Sequence, residues 1–290
     1  DSGSIKVFGH DLTHEPVHVR PHFGLSRTYQ IINLFNKDTV LHNVALALLG
    51  ISPRRFNPFQ PLRATDALYA QARHVLESVG LTDSAERHVG EMSYGEQRRV
   101  EIGVAMSQSP KLLLLDEPLA ALDHARRQEV LPWLEKLRDD LNIPMLYVTH
   151  AVDEVARLAD TLVVMYEGRI QANGPVAEVL TQAELPVVLG EDAGALLTGL
   201  VLNIDAQWHL AQVGFAGGAL WVRDSGLVIG QTVRLRVLAR DVSVTLHEAT
   251  HTSIQNHIPC VVEAITADPH PSQTWLRLRC GDSVLLARVT

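Results

Sequence analysis

The most constraining feature of this 290-residue chain is a run of four leucines, 112–115, that ends in Asp116-Glu117-Pro118. A short apolar run without alternation is typical of a parallel strand that is buried on both faces. Helical patterns flank this run: one helix is predicted to begin at Ser93, and another covers residues 125–141. Strands that alternate with helices fold into α/β domains, so we expect a mostly parallel sheet with helices packed against it.

The rest of the chain extends this alternation and then departs from it. We predict further strands over 4–12, 24–35, 145–149 and 161–166, and further helices over 40–49, 64–79 and 151–158. From about residue 197 the pattern changes to short alternating segments, namely 208–214, 219–223, 232–238, 258–265, 274–279 and 283–289. Segments of this kind predict a small all-β barrel. The predicted domains are therefore 1–190 and 197–290, with a boundary within 184–195.

Composition narrows the classes of protein that the chain can belong to. A formal net charge of −8 and a pI near 5.9 argue against a nucleic-acid-binding protein, which would normally carry a basic patch. No window approaches the roughly 20 apolar residues that a membrane-spanning helix requires. The two cysteines, Cys260 and Cys280, are compatible with a disulfide, but we favour two reduced thiols.

Ionisable side chains follow two of the predicted strands at the point where each strand ends. Asp116 and Glu117 follow the leucine run, and His150 follows strand 145–149. Ligands of an open parallel sheet bind at the carboxyl ends of its strands. Because a carboxylate pair is costly to bury without a cation, we predict that Asp116 binds Mg²⁺ and that Glu117 orients and polarises a water molecule. The alternative is that Asp116 caps the following turn.

A second candidate site is the segment Ser93-Tyr94-Gly95-Glu96-Gln97. Ser93 and Glu96 have the spacing of a capping box, in which each side chain accepts a hydrogen bond from a backbone N–H of the other end of the turn. A helix N-terminus with a hydroxyl and a glycine can also bind a phosphate group. From this segment alone, both a phosphate-binding site and a helix cap without a ligand are possible interpretations.

Taken in order, these residues resemble the motifs of ATP-binding-cassette (ABC) importer ATPases. The matching motifs are the Q-loop at Gln30, the signature motif at 92–97, the Walker B segment at 112–117, the D-loop at 121–123 and the switch histidine at His150. The signature departs from the common Leu-Ser-Gly-Gly-Gln at Met92, Tyr94 and Glu96, and it keeps Ser93 and Gly95. Five motifs in register make the resemblance specific.

The resemblance implies a role for each matching residue. Glu117 would be the general base, His150 would contact the γ-phosphate, and Gln30 would sense the nucleotide and share the Mg²⁺ with Asp116. The residues that would bind ATP are Ser93, Gly95, Gln97 and Asp123. The family also implies a homodimer with ATP between its subunits, membrane permease subunits as partners, an indirect link to a periplasmic binding protein, and a peripheral position on the cytoplasmic face of the bacterial inner membrane.

One family motif is missing from the sequence. No Gly-x-x-x-x-Gly-Lys-Ser/Thr loop occurs, although backbone N–H groups and the lysine of such a loop hold the phosphates. In the family this loop lies just upstream of a strand like 4–12, so we expect it ahead of residue 1. We also expect the 290-residue chain by itself to bind ATP poorly and to be inactive.

The two parts of the chain resemble importers of different substrates. Residues 24–80 are similar to branched-chain amino-acid importer ATPases, whereas the part after Asp116 is similar to the molybdate importer ATPase. The tail of the latter family is an oxyanion-binding fold that runs further, so we expect the barrel here to be incomplete. The residues that match its ligand loop are Thr252, Ser253 and Asn256; a simple turn is the alternative.

We therefore favour import of molybdate or a related oxyanion such as tungstate, with three alternatives. These are a branched-chain amino-acid importer, a non-catalytic oxyanion-binding regulator, and a non-transport ATPase of the same superfamily. The last would carry coiled-coil or basic inserts, which the sequence does not show. The mixed resemblance can reflect recombination near 116–118 or the joining of two genes.

Overall fold

A computed structural model describes residues 3–29, 31–57, 59, 62, 67–141, 143–182, 193–247 and 251–290. The chain divides into two compact units, Asp1–His150 and Ala151–Thr290. The predicted boundary falls largely on residues 183–192, which lie outside the described part, so the predicted domain limits stay a prediction.

The first unit contains the predicted parallel sheet. Its strands are β3 (Leu25–Arg27), β4 (Leu112–Asp116) and β5 (Met145–Val148), in the order β3-β4-β5. Both pairs are parallel, with Leu25 opposite Leu112 and Leu113 opposite Met145. The leucine run therefore forms a parallel strand, as predicted, and it is the central one. Burial on both faces is not seen, because Leu113 and Leu115 are buried whereas Leu112 and Leu114 are only partly buried. A short antiparallel pair, β1 (Lys6–Val7) and β2 (His10–Asp11), replaces the single strand predicted over 4–12.

In the described part of this unit, four helices accompany the sheet: α1 (Val40–Ile51), α2 (Ala67–Ser78), α3 (Tyr94–Ser107) and α4 (His124–Leu141). Short 3₁₀ turns lie at Arg20–Phe23, Thr82–Ser84 and Val89–Glu91. The hydroxyl of Thr39 caps α1 by accepting a hydrogen bond from the His42 N–H at 3.1 Å. Helix α4 is attached to the end of α2, because the indole N–H of Trp133 donates to the Val79 carbonyl at 2.9 Å. Helices α1, α2 and α3 pack together through buried apolar faces.

The second unit is mostly antiparallel. It begins with α5 (Val152–Leu158), β6 (Thr161–Tyr166), β7 (Arg169–Pro175) and α6 (Val176–Val179). The strands that follow are β8 (Gly194–Asp205), β9 (Leu210–Phe215), β10 (Gly218–Arg223), β11 (Thr232–Leu238), β12 (Val261–Ala267), β13 (Thr274–Cys280) and β14 (Ser283–Val289), with a 3₁₀ turn at Ala239–Asp241.

These seven strands form two sheets, ordered β10-β9-β8-β11 and β12-β13-β14. Their shared core includes Ala195 and Leu197 of β8 and Leu278 and Leu285 of the second sheet. Six of these seven strands were predicted from the alternating pattern of the sequence, and β8 was not. Closure of the two sheets into one barrel stays a prediction.

Cys260 and Cys280 form a disulfide, with their Cα atoms 4.6 Å apart. The expectation of two reduced thiols is therefore wrong. Strand pairing is the reason, because β12 begins at Val261, and Val261 lies opposite Arg279 in β13, so the residue before β12 meets the end of β13. Among the described residues, no helix is both long enough and apolar enough to cross a bilayer.

Candidate functional site

The carboxyl ends of the three parallel strands bring the predicted acidic and histidine residues together. The Glu117 N–H, just past β4, donates to the Val148 carbonyl of β5 at 2.9 Å. On the other side, the Thr28 N–H donates to the Leu114 carbonyl at 3.0 Å. These bonds extend the sheet by one residue on each side of β4. They fix the backbone from which Glu117 projects.

Glu117 and His150 are in direct contact. The distance between His150 Nδ1 and Glu117 Oε1 is 3.1 Å, and the side chains are 76% and 29% exposed, respectively. Glu117 has a positive φ of 41°, which is uncommon for a residue other than glycine, and such strained conformations cluster at functional sites. The strand end therefore holds a partly buried carboxylate beside a solvent-accessible imidazole.

Asp116 is paired with a cation in this structure. Its Oδ2 lies 2.6 Å from Nη2 of Arg27, the last residue of the neighbouring strand β3. The two side chains are 30% and 44% exposed, so the pair is accessible to solvent. The pairing shows that the Asp116 carboxylate takes a positively charged partner here, and carboxylate oxygens are ligands that Mg²⁺ accepts. Gln30, the other predicted ligand, lies outside the described residues.

The predicted capping box at the start of α3 is present. Ser93 N–H donates to Glu96 Oε2 at 2.8 Å, and Glu96 N–H donates to Ser93 Oγ at 3.3 Å. Glu96 also pairs with Arg87 at 2.6 Å. Burial acts to raise the pKa of Glu96, but the hydrogen bonds from Arg87 and Ser93 outweigh it, and the pKa lies below its usual value. The box therefore holds an ionised Glu96 next to the exposed Ser93.

Gly95 and Gln97 have different surroundings. A Cβ atom at Gly95 would lie 3.3 Å from Val130 Cγ2, so the glycine allows α3 to approach α4 closely. The Gln97 side-chain amide donates to the carbonyls of Val89 and Met92, both at 3.1 Å. Gln97 thus holds the turn before the helix, and its predicted contact with ATP stays a prediction.

Asp123 lies at the N-terminus of α4. Its Oδ1 accepts a hydrogen bond from the Arg126 N–H at 2.9 Å, which is the bond of a helix cap. The Asp123 side chain is exposed. The structure therefore gives Asp123 a capping role and leaves its predicted role towards ATP untested.

A charged pair that the sequence patterns did not reveal contacts the backbone of this site. Arg98 and Glu101 of α3 form a buried ion pair, and both side chains contact the backbone next to Gln30 or Glu117. The helical spacing of three and four residues could have revealed this pair, because it places Arg98 and Glu101 on the same face of α3 as Ile102 and Ala105. Ile102 and Ala105 on that face are apolar and buried, so charged residues at 98 and 101 were candidates for burial.

The predicted oxyanion loop lies away from these motifs along the chain, in the second unit. Thr252 Oγ1 accepts from the Ile254 N–H at 3.1 Å, and Ser253 is exposed. The Asn256 amide pairs with the backbone of Trp221 in β10, accepting from its N–H at 2.7 Å and donating to its carbonyl at 2.9 Å. Asn256 thus acts as a substitute strand partner. Among the described residues, no cluster of three or more His, Cys, Asp or Glu side chains could bind a metal ion.

Comparison with known proteins places this chain in a family. The family model described as "ABC transporter" matches residues 1–120. The molybdenum import ATP-binding protein ModC of Methylococcus capsulatus is 44% identical over 95% of this chain and 73% of its own length. The protein of the same name from Thiobacillus denitrificans is 51% identical over 76% of this chain and 62% of its own length.

Solved structures agree with the sequence relatives. A crystal structure of an ATP-binding cassette of an ABC transporter is 27% identical, with a TM-score of 0.54, and covers 66% of this chain and 78% of its own. A nucleotide-free cassette from an ABC transporter is 26% identical, with a TM-score of 0.52 and the same coverage. The Methylococcus alignment covers 95% of this chain, so residues before and after Asp116 match one protein.

Proposed function

This chain belongs to the molybdenum import ATP-binding proteins, a family of ABC transporter ATPases, and on that premise we propose that it hydrolyses ATP to drive the import of molybdate or a related oxyanion such as tungstate. The observation that carries the proposal is the contact of Glu117 with His150 at the carboxyl end of the parallel sheet. Ligands of open parallel sheets bind at that edge.

The reaction assigned to this site is in-line hydrolysis of the γ-phosphate. A water oxygen forms a bond to the γ-phosphorus, the bond from that phosphorus to the β,γ-bridging oxygen breaks, and ADP and phosphate leave. Glu117 orients the water and accepts its proton. His150 holds the Glu117 carboxylate through Nδ1 and would contact a γ-phosphate oxygen through its second ring nitrogen.

Asp116, together with Gln30, would hold the Mg²⁺ that accompanies ATP. The oxygen donors of these side chains fit this ion, and the Arg27 partner shows that a positive charge is favoured beside Asp116. When bound, Mg²⁺ would neutralise charge on the phosphate oxygens. The residues that this chain would supply to the site are therefore Gln30, Asp116, Glu117 and His150.

Ser93 and Gly95 would complete the site of a second copy of the chain. Ser93 is exposed at the N-terminus of α3, and a hydroxyl beside the positive end of a helix dipole is suited to the γ-phosphate of ATP held by a partner subunit. We propose a head-to-tail homodimer with ATP between the subunits, bound to permease subunits at the cytoplasmic face of the membrane and linked through them to a binding protein.

We assign oxyanion binding to the second unit, in the loop that contains Thr252 and Ser253. Hydroxyl and backbone N–H donors suit a tetrahedral anion because they supply direction as well as charge. Asn256 would need to release Trp221 before it could join such a site.

Titration calorimetry of the whole chain with molybdate, and separately with sulfate, tests the substrate. The proposal predicts heat with molybdate and little or none with sulfate. Absence of heat with both anions would contradict the oxyanion assignment. A Ser253→Ala variant should weaken molybdate binding, whereas Ser272→Ala, outside the loop, serves as the control.

A further inference from the structure

The guanidinium group of Arg98 is fully buried and contacts two separate segments of the catalytic unit. Nη1 donates to the Tyr29 carbonyl at 2.7 Å, directly before Gln30 in the chain. Nε donates to the Pro118 carbonyl, and Nη2 to the Glu117 carbonyl at 3.4 Å. One side chain therefore binds the backbone beside Gln30 and at Glu117, two of the residues assigned to the ATPase reaction.

Glu101 completes the arrangement one helical turn further along α3. It is 6% exposed and forms an ion pair with Arg98 Nη1. Its other oxygen accepts a hydrogen bond from the Tyr29 N–H at 3.2 Å. Tyr29 is thus held at its N–H by Glu101 and at its carbonyl by Arg98. Burial raises the pKa of Glu101, and the charge of Arg98 acts in the opposite direction.

Stability alone is a weak reason for such a pair. Replacing a buried ion pair by apolar residues of similar volume is often neutral or stabilising. The neighbouring positions of α3 that face the core, Val100 and Ile102, are apolar and fully buried. What an apolar pair cannot supply is direction, because the planar guanidinium group binds several acceptors in a fixed geometry.

The backbone at Glu117 and Pro118, which Arg98 binds, has a conformation that requires support. Glu117 has a positive φ of 41°, a backbone conformation that persists only where the surroundings impose it. The Arg98 contacts to the Glu117 and Pro118 carbonyls are part of those surroundings. Release of these carbonyls would allow the Glu117 carboxylate to turn away from His150.

We propose that Arg98 and Glu101 are positioning residues, which lock the segment before Gln30 and the segment at Glu117 into one fixed spacing. Neither residue touches a reacting atom; both act through the backbone that they bind. The effect on ATP hydrolysis rests on the proposed function, whereas the effect on the backbone does not.

Amide hydrogen exchange tests the backbone part on the 290-residue chain itself. Arg98→Lys keeps the positive charge but loses the planar guanidinium group that binds several carbonyls at once. In this variant the Tyr29 and Glu117 amides should exchange at least about tenfold faster than in the parent. Val100→Ala on the same helix is the control, since it removes buried methyl groups and leaves both carbonyl contacts. Exchange at Tyr29 and Glu117 that is unchanged, or that rises equally in the control, overturns the proposal.

Steady-state kinetics test the catalytic part, with a phosphate-binding loop supplied ahead of residue 1. Arg98→Lys should lower kcat about 10- to 100-fold, the scale expected when a catalytic group moves by about 1 Å. KM for ATP should change less than about threefold, because ATP binding does not depend on the position of Glu117. Glu101→Gln, which keeps an acceptor for the Tyr29 N–H, should retain more activity than Glu101→Leu.

The two measurements separate the proposals. A parent that does not hydrolyse ATP contradicts the proposed function, and the exchange rates still decide whether the pair holds the backbone. A parent that hydrolyses ATP, with full kcat in Arg98→Lys, overturns the positioning role. A loss of kcat in Val100→Ala equal to that in Arg98→Lys also overturns it, because a general loss of stability would then explain both.

Discussion

Replacement of Glu117 by glutamine removes the proposed general base and leaves the rest of the strand end in place. The glutamine oxygen can still accept the hydrogen bond that Glu117 Oε1 makes with His150 Nδ1 at 3.1 Å. The side chain is partly exposed and near isosteric, so the free energy of unfolding should change by no more than about 0.5 kcal/mol. Binding of ATP should also persist, because the phosphates are held elsewhere.

The chemical step should be strongly affected. A positioned general base contributes about 10²- to 10⁴-fold to a rate. Loss of that contribution corresponds to about 2.7–5.4 kcal/mol in the activation free energy. We therefore expect Glu117→Gln to lower kcat for ATP hydrolysis by at least about 100-fold, with little change in the affinity for ATP.

The assay is phosphate release from ATP by a version of the chain that carries a phosphate-binding loop ahead of residue 1. Glu129→Gln is the matched control, since Glu129 is exposed on α4 and loses the same charge away from the strand end. Binding of a fluorescent ATP analogue and thermal unfolding confirm that each variant folds and binds. Glu117→Gln activity above about one tenth of the parent would refute the assignment of Glu117 as the base.

Three further predictions concern the stability of the chain. Ser93→Ala should lower the free energy of unfolding by about 1 kcal/mol in chemical denaturation, because the N-terminal cap bond of α3 is lost. The hydrogen bond and charge of Arg288 hold the pKa of Asp268 below its usual value. The ionised Asp268 therefore stabilises the fold at pH values above the ordinary Asp pKa, and this stabilisation is lost as pH falls through the lowered pKa. In Arg288→Met, the free energy of unfolding should lose this part of its dependence on pH. Cys260→Ala opens a disulfide to Cys280 with a sequence separation of 20, which should cost about 3 kcal/mol in a denaturant titration under oxidising conditions; a midpoint that reducing agent leaves unchanged in the parent would contradict this.

Local patterns in the sequence were enough to place the parts of the site. The leucine run predicted a parallel strand, which the structure confirms, because an apolar run without alternation is typical of parallel sheets. The capping box at Ser93 depends only on residues three apart, so the sequence alone could identify it. Strand β11 was predicted over the same residues, 232–238, that the structure shows.

Contacts between distant segments could not be obtained in this way. Strand β8, Gly194–Asp205, begins with a continuous apolar stretch that gives no alternating pattern, and no strand was predicted there. The pairing of Asn256 with Trp221 joins residues 35 positions apart. The burial of Arg98 depends on carbonyl groups from two segments that only the folded sheet brings beside α3.

The match to one family over 95% of the chain also bears on the mixed resemblance. Residues 24–80 resemble branched-chain amino-acid importers by motif, yet they align within a molybdenum import protein together with the tail. A single protein accounts for that alignment, and sequencing across 116–118 in source DNA would test it.

The most direct test of the account is molybdate uptake by sealed vesicles that contain the permease, the binding protein and this chain with a phosphate-binding loop ahead of residue 1. We predict uptake of labelled molybdate that requires ATP, is not matched by sulfate and is lost with Glu117→Gln. ATP-driven molybdate uptake that persists in Glu117→Gln, or ATP hydrolysis with no uptake of molybdate or tungstate, would contradict the account.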